Sequence, residues 1–198
     1  MPEPALPRLH PHVVAYCSAL LALGCFGQAL WIHAKAGMAQ GLIASAWEKT
    51  LAQPAEPQKP WRWADTWPVA RLQWQHDDAV EDLYVLEGGT GNALAFGPGH
   101  LLETAPIGTG ASVIAGHRDT HFAFLQQLQP GSALRVQNPQ GEWINYEVTS
   151  AKVMDSTTEP LLIDPASASL TLVTCYPFDA VVAGGPERYV VTARQYRF

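Results

Sequence analysis

The first strong pattern along the chain is an uninterrupted apolar run near the N-terminus. Residues 13–32, VVAYCSALLALGCFGQALWI, contain no charged side chain. A helix of this length, at about 1.5 Å per residue, spans the roughly 30 Å hydrocarbon core of a bilayer. We therefore predict a transmembrane anchor over 13–33, preceded by a short tail at 1–12. Because Ala34-Lys35-Ala36 resembles a signal-peptidase site, a cleaved signal peptide is the alternative, although the apolar run is longer than the usual signal region of about 7–15 residues.

The polarity pattern changes after the anchor. Residues 35–53 combine good helix formers with helical spacing of apolar positions, and three prolines then interrupt the pattern in PAEPQKP at 54–60. This predicts a helical stalk and a proline-rich linker over 34–60. Residues 61–74, WRWADTWPVARLQW, hold four of the seven tryptophans and are interpreted as an apolar lid on a small core. A chain that begins near Ala55 is expected to be soluble and folded.

Short runs rich in β-branched and aromatic residues occupy the remainder of the chain. Turn residues separate them at spacings typical of an antiparallel sandwich or barrel. Short helices are predicted only near 92–96 and 120–128. The pattern favours an all-β barrel of about eight strands, closed or nearly closed, over residues 61–198. The runs are VEDLYVL, SVIAG, SALRV, WINYEVTSAKV, SLTLVTC and RYVVTA.

Charge and cysteine content narrow the range of functions. The whole chain has a formal charge of −6, and from Trp61 onward 8 Lys and Arg oppose 15 Asp and Glu, which gives −7. A domain with this acidic balance and no basic stripe is not expected to bind nucleic acid. Cys17 and Cys25 fall within the apolar run, so Cys175 is the single thiol of the predicted barrel and no disulfide framework is indicated.

Three reactive side chains stand at strand ends. Cys175 closes the run SLTLVTC, and Arg188 opens the next strand thirteen residues later. Strands joined by a loop of this size are expected to pair antiparallel, which places both residues at one rim of the sheet. His117 directly follows the strand predicted at 112–116. A thiol nucleophile, an imidazole that transfers protons and a guanidinium that stabilises an oxyanion would form an acyl-transfer site.

Other interpretations of these residues are weaker. Cys175 alone would be an ordinary buried strand residue. His117 and His121 have the spacing of a helical metal pair, but Arg118 occupies the position of the glutamate in zinc protease helices, and its charge opposes a dication. The tripeptide HRD also occurs in protein kinases, yet no glycine-rich phosphate loop accompanies it. No metal and no cofactor are predicted.

In this order and spacing, the motifs Gly116-His117, Leu172-Val173-Thr174-Cys175 and Arg188 resemble those of the sortases, which are membrane-anchored cysteine transpeptidases with an eight-stranded β-barrel. The likeness covers residues 61–198. Further segments are similar to the Gram-negative, marine proteobacterial branch of the family, although Ala-Ser replaces the more usual Gly-Asn within GTGASVIAGH. These segments are WADTWPVARL (63–72), LAFGPGH (94–100), GHRDTHFAFL (116–125), TCYPFDAV (174–181) and GGPERYVV (184–191).

The resemblance implies two successive acyl transfers. Cys175 attacks the Thr–Gly bond of a C-terminal LPXTG-like sorting signal, and an amine whose identity the sequence does not specify then resolves the thioester. His117 acts as general acid and base, and Arg188 binds substrate and stabilises the oxyanion. The backbone N–H of Tyr176 is expected to be the second oxyanion donor, and Thr174 to align the pocket.

The resemblance also implies a substrate-binding loop and a cellular location. Leu161, Leu162 and Ile163 are expected to line a pocket for the Leu-Pro of the signal. The expected location is the bacterial inner membrane, crossed once, with the catalytic domain on the periplasmic side. Two alternatives remain open: a cysteine protease that uses the same three residues with water as acceptor, and a catalytically idle binding module tethered to the membrane.

Overall fold

The structure, a computed structural model, describes residues 11–89, 91–182 and 184–196. The chain divides into two compact units, Met1–Ala39 and Gln40–Phe198. A long helix, α1 (Pro11–Ala52), accounts for the described part of the first unit and continues into the second. It contains an 18-residue window with a mean hydropathy of 1.8 and no buried residue. The helix is therefore a candidate transmembrane segment.

The C-terminal part of α1 belongs to the second unit. Ile43 is 1 % exposed and Trp47 fully buried, and Ile43 forms an apolar cluster with Leu86. The indole Nε1 of Trp47 donates a hydrogen bond to the side-chain oxygen of Gln137 at 3.4 Å. The sequence predicted a stalk and linker over the whole of 34–60. In the structure, Ile43 and Trp47 from this segment are buried in the second unit.

Eight strands form a closed barrel, which confirms the predicted fold class. Around the barrel the strands follow the order β1-β2-β3-β4-β7-β8-β6-β5. The strands are β1 (Pro68–His76), β2 (Ala79–Glu87), β3 (Gly99–His100), β4 (Ser112–Ala115), β5 (Ala133–Gln137), β6 (Trp143–Asp155), β7 (Ser169–Cys175) and β8 (Glu187–Tyr196).

Two of the eight strands were not recognised in the sequence. Part of the tryptophan-rich segment interpreted as a lid is β1, where Ala70 and Leu72 are fully buried in the barrel core. β3 has only two residues, too few to show any alternation. β3 can lie close to the chain after β2 because Gly99 has no side chain. A Cβ on residue 99 would lie 2.1 Å from the carbonyl oxygen of Gly88. Two pairings, β2 with β3 and β4 with β7, are parallel, whereas the sequence suggested antiparallel pairing throughout.

Short helices lie where the sequence predicts them. α2 (Gly91–Leu94) follows β2, and a 3₁₀ helix (Ala123–Gln127) follows β4. Phe122 and Leu125 are fully buried in the barrel core. The ring of Phe124 stacks on Trp74 of β1 with the ring centroids 3.8 Å apart. This packing attaches the segment after β4 to the barrel core and to β1.

We expect the start point of a soluble chain to determine its stability. A chain beginning at Gln40 keeps Ile43 and Trp47 in place, whereas one beginning at Ala55 loses both. Burying each such side chain contributes about 1.5–3 kcal/mol, and at about 2–4 °C per kcal/mol for a domain of this size the shorter chain should unfold about 6–24 °C lower. Thermal unfolding followed by circular dichroism measures the difference. Equal midpoints for the two chains would show that the helix end does not stabilise the barrel.

Candidate active site

The site is organised around the end of β7, the strand that lies between β4 and β8. Cys175 is the last residue of β7 and pairs directly with Arg188 near the start of β8. The intervening loop, residues 176–186, thus returns the chain to the same rim, as the sequence predicted. Leu170 and Leu172 point into the core, so the alternate residue Cys175 points to the outer face. Directly paired residues share a face, so the half-buried Cys175 and Arg188 side chains emerge side by side.

His117 follows the strand on the other side of β7. β4 and β7 pair in parallel, and the last register pair is Ala115 with Val173. The N–H of Gly116 donates to the carbonyl of Val173 at 3.1 Å, at the end of this pairing. The exposed residue His117 comes two residues after β4, as Cys175 comes two residues after Val173, so both lie near the same rim of the sheet.

The main chain before His117 is held by two contacts. The hydroxyl of Thr174, a residue 2 % exposed, donates to the carbonyl of Gly116 at 2.7 Å. On its other side Gly116 approaches the buried Phe122 ring so closely that a Cβ would lie 2.8 Å from two ring carbons. Glycine at 116 is thus a packing requirement. Thr174, predicted to align the pocket, binds the main chain that carries His117.

The guanidinium of Arg188 contacts the loop that precedes it. Its Nη1 donates to the carbonyl oxygens of Gly185 at 2.7 Å and Glu187 at 2.8 Å. Among the described residues, Nε and Nη2 of Arg188 have no hydrogen-bond partner. One edge of the guanidinium is therefore anchored, and the remaining donors are available to a substrate oxygen at the rim.

The backbone N–H of Tyr176 is already occupied. It donates to the carbonyl of Glu187 at 3.1 Å and so continues the β7–β8 pairing one residue past Cys175. In this arrangement it is not free to serve as the oxyanion donor expected from the sequence. The Tyr176 ring instead packs near Phe178 and Tyr189, with centroids 6.2 Å from each. This aromatic cluster supports the first part of the loop.

Arg118 is a residue whose contribution the sequence did not reveal. It follows His117, is only 8 % exposed, and its Nη2 donates to the carbonyl oxygens of Ala180 at 2.7 Å and Val182 at 3.2 Å. Its Nε is buried without a partner among the described residues. In the sequence, the sole sign of this contribution was a cationic side chain shortly after the end of the predicted strand. Its burial depends on a loop more than sixty residues away, which no local pattern reports.

The predicted substrate loop lies over the outer face of β6 and β8, and Cys175 is not among the residues that line the cavities beside it. A cavity of about 400 Å³ lies between this loop and the outward side chains of β6 and β8. Leu161 and Leu162 line it, and both also line an adjoining cavity of about 660 Å³ together with Ile163 and Thr171. Leu162 is 87 % exposed, so its side chain stands open to a ligand.

The other polar residues singled out in the sequence have structural surroundings. His100 is 6 % exposed and its Nε2 lies 3.0 Å from the carbonyl oxygen of Ala105. Burial lowers the pKa of His121, the neighbouring His117 lowers it further, and Asp119 opposes the shift. Within the described ranges, no three His, Cys, Asp or Glu side chains converge on a common point where a metal could be held.

Comparison with known proteins agrees with this arrangement. The sortase domain family matches residues 77–196, which is more than half of the chain. Sortase D from Bacillus subtilis (strain 168) is 33% identical over 116 residues, a match that spans 58% of this chain and 58% of that protein. The chain therefore covers less than two thirds of the length of this relative.

Solved structures show the same barrel. Sortase A from Corynebacterium diphtheriae superposes with a TM-score of 0.58 at 28% identity, covering 69% of this chain and 64% of that one. A sortase D5 transpeptidase from Clostridium perfringens, at 22% identity, gives a TM-score of 0.60 and covers 80% of this chain and 96% of that one, a likeness of fold. From the family match over most of the barrel, together with these relatives, we conclude that the chain belongs to the sortase family.

Proposed function

We propose that this protein is a membrane-anchored cysteine transpeptidase that cleaves an LPXTG-like C-terminal sorting signal and transfers the acyl part to an amine. The observation that carries the proposal is the strand order β4-β7-β8 with its register. That order pairs Cys175 with Arg188 on one side and puts the strand that precedes His117 on the other, which supports a site formed by these three residues. The sortase family match indicates a transpeptidase reaction. The side chains of Cys175, His117 and Arg188 are the groups that such a reaction needs.

In the first half-reaction the Sγ of Cys175 attacks the carbonyl carbon of the Thr–Gly bond. The thiol proton passes to the imidazole of His117, and Nε and Nη2 of Arg188 stabilise the negative oxygen of the tetrahedral intermediate. His117 then gives the proton to the departing glycine amine as the C–N bond breaks. The products are a thioester on Cys175 and a peptide with a new N-terminus.

The second half-reaction reverses these roles. An acceptor amine attacks the thioester carbonyl, His117 removes a proton from it, and Arg188 again stabilises the oxyanion. Collapse of the intermediate breaks the C–S bond and returns the proton to sulfur. A new amide bond has formed and the enzyme is regenerated. With water in place of the amine the same steps give hydrolysis, and the balance between the two depends on which acceptor reaches the thioester first.

The residue spacing along the outer face of β7 suits the proposed signal. Thr171, Val173 and Cys175 share the outer face of β7, and the step from Thr171 to Cys175 measures about 13 Å at 3.3 Å per residue. Four residues of an extended Leu-Pro-X-Thr segment have the same length. With its threonine at the thiol, the leucine end of the segment reaches the level of Leu161, Leu162 and Ile163.

The proposal also covers the cellular location of the protein and its branch of the sortase family. The apolar part of α1 anchors the protein in the bacterial inner membrane, with the barrel on the periplasmic side where exported proteins carry sorting signals. Assignment to the Gram-negative branch rests on the sequence segments that resemble it. The protein partner is an exported protein that ends in a sorting signal, and the acceptor is an amine at the same membrane face.

We expect acyl-enzyme chemistry to depend on three residues. In a chain beginning at Gln40, Cys175 is the sole cysteine, so a mass increase after incubation with an LPXTG peptide identifies the thioester site directly. Cys175→Ala should abolish the adduct. His117→Ala and Arg188→Lys should each lower kcat about 100-fold or more, because each removes proton transfer or oxyanion stabilisation. His121→Gln and Arg62→Met are controls that should retain activity.

Product analysis separates the proposal from its two alternatives. Addition of hydroxylamine or a glycine peptide should give ligated product at the expense of free acid. Free acid alone, at every amine concentration, would indicate a protease. A folded protein whose Cys175 never acquires the acyl group from any LPXTG-like peptide would indicate an idle binding module.

We expect the substrate loop to act mainly on binding. Replacing Leu161, Leu162 and Ile163 together by Ala removes apolar contacts with the signal and should raise the KM for the peptide about tenfold, with a smaller change in kcat. Val80→Ala, at an exposed apolar position on β2, is the matched control. Unchanged KM in a folded triple variant would exclude this loop from recognition.

Gly116→Ala should disturb catalysis through packing. The added Cβ meets the buried Phe122 ring, so we expect a stability loss of about 1–3 kcal/mol and a displacement of His117 that lowers kcat about 10- to 100-fold. Gly91→Ala adds a methyl group where nothing lies within 4 Å and serves as control. Thermal unfolding and single-turnover kinetics provide the two readouts, and wild-type values for Gly116→Ala would refute the packing requirement.

A further inference from the structure

The loop that joins β7 to β8 has little main-chain structure of its own. Within its described residues, the hydrogen bond between loop backbone groups is that from the N–H of Ala180 to the carbonyl of Pro177, at 3.4 Å. Gly184 and Gly185 adopt positive φ angles of 99° and 109°, and Val181 and Val182 are 100 % and 76 % exposed. A segment with so few internal contacts must be held in place from outside.

Two guanidinium groups provide part of that restraint, and Ser156 provides another part by donating its N–H and its hydroxyl to the carbonyl of Pro186 at 2.9 and 2.6 Å. Arg118 binds the carbonyls of Ala180 and Val182 on the first arm of the loop. Arg188 binds the carbonyl of Gly185 on the second arm and that of Glu187, the first residue of β8. Each arginine uses a single terminal nitrogen for its two carbonyls. The loop is thus fixed at both ends of its glycine pair by charge-assisted hydrogen bonds, which are stronger than neutral ones.

The environment of Arg118 fits a dedicated role. Its side chain is more than nine-tenths buried, and burial of a cation is unfavourable unless hydrogen-bond partners compensate for the lost water. Among the described residues those partners are loop carbonyls, and no carboxylate lies within ion-pair distance. The residue therefore directs its charge at the loop and makes no ion pair with the barrel.

We infer that Arg118 is a positioning residue that orients Arg188 for catalysis through the loop. By holding the carbonyls of Ala180 and Val182, it sets the course of the chain toward Gly185. The carbonyls of Gly185 and Glu187 then fix Nη1 of Arg188, and this determines where Nε and Nη2 point. The inference rests on the proposed function, since it assigns Arg118 an effect on the oxyanion donor of that reaction.

The ordering role can be tested without any substrate. In a chain beginning at Gln40, Arg118→Met keeps the length of the side chain but removes its donors. We expect amide hydrogen exchange at Ala180, whose N–H donates the hydrogen bond between loop backbone groups, to accelerate about tenfold or more, while β1 and β5 exchange as in wild type. The Nε–H resonance of Arg188, assigned by its loss in Arg188→Lys, should also shift. Arg62→Met, which alters an exposed arginine, should change neither readout.

The catalytic role requires a double-mutant cycle. Arg118→Met alone should lower kcat/KM for the peptide about 10- to 100-fold, the range expected when a reacting group is misplaced by about 1 Å. In the Arg188→Lys background the same substitution should cause little further loss, because the group it orients is absent. Arg118→Lys, which retains a cationic donor, should fall between wild type and Arg118→Met.

The possible failures are distinguishable. Losses that multiply in the double variant would show that Arg118 acts independently of Arg188 and would overturn the inference. Unchanged loop exchange and an unchanged Arg188 resonance in Arg118→Met would overturn it as well. If Arg118→Met does not fold, the loop exchange and the double-mutant cycle are measured with Arg118→Lys and Arg118→Gln instead. Failure of the proposed function would appear in the wild-type protein as absence of any acyl-enzyme, whatever the loop exchange shows.

Discussion

Main-chain pairing of β7 with a neighbour on each side is the constraint on which the rest of the site depends. The parallel ladder with β4 and the antiparallel ladder with β8 fix two registers independently. Because a slip of one residue would turn Cys175 to the opposite face of the sheet, the hydrophobic alternation of β7 also fixes the direction of the thiol. Leu170 and Leu172 in the core thus hold Cys175 on the outer face. Backbone hydrogen bonds and core packing position Cys175 and Arg188 without any contact between their side chains being needed.

The supporting contacts follow from this geometry. Gly116 and Thr174 hold the chain where β4 has ended, and Phe122 occupies the space that a side chain at 116 would need. Arg188 is both a component of the site and an anchor of the loop before it. The same group therefore serves structure and proposed chemistry, and its availability to a substrate depends on how the loop is held.

The sequence allowed the barrel, the long apolar helix and the meeting of Cys175 and Arg188 at one rim to be predicted, and physical reasons explain the omissions. Cys175 and Arg188 are thirteen residues apart, a separation typical of two adjacent antiparallel strands. The pairing of their strands could therefore be predicted from the sequence. β3 has two residues and no periodicity, and the aromatic composition of residues 61–74 obscured the start of β1. The burial of Trp47 and the contacts of Arg118 arise between segments distant in sequence. A single sequence contains no pattern that reports such contacts.

One feature of the loop bears on how the family could diversify. Arg118 and Arg188 hold the segment through main-chain oxygens, which every amino acid possesses, and the side chains of Val181 and Val182 take no part in that attachment. Residues at these two exposed positions can therefore be exchanged while the backbone path of the loop after Cys175 is kept. A loop anchored in this way is a suitable place for laboratory sequence libraries, because its two most exposed side chains have no part in the packing of the barrel core.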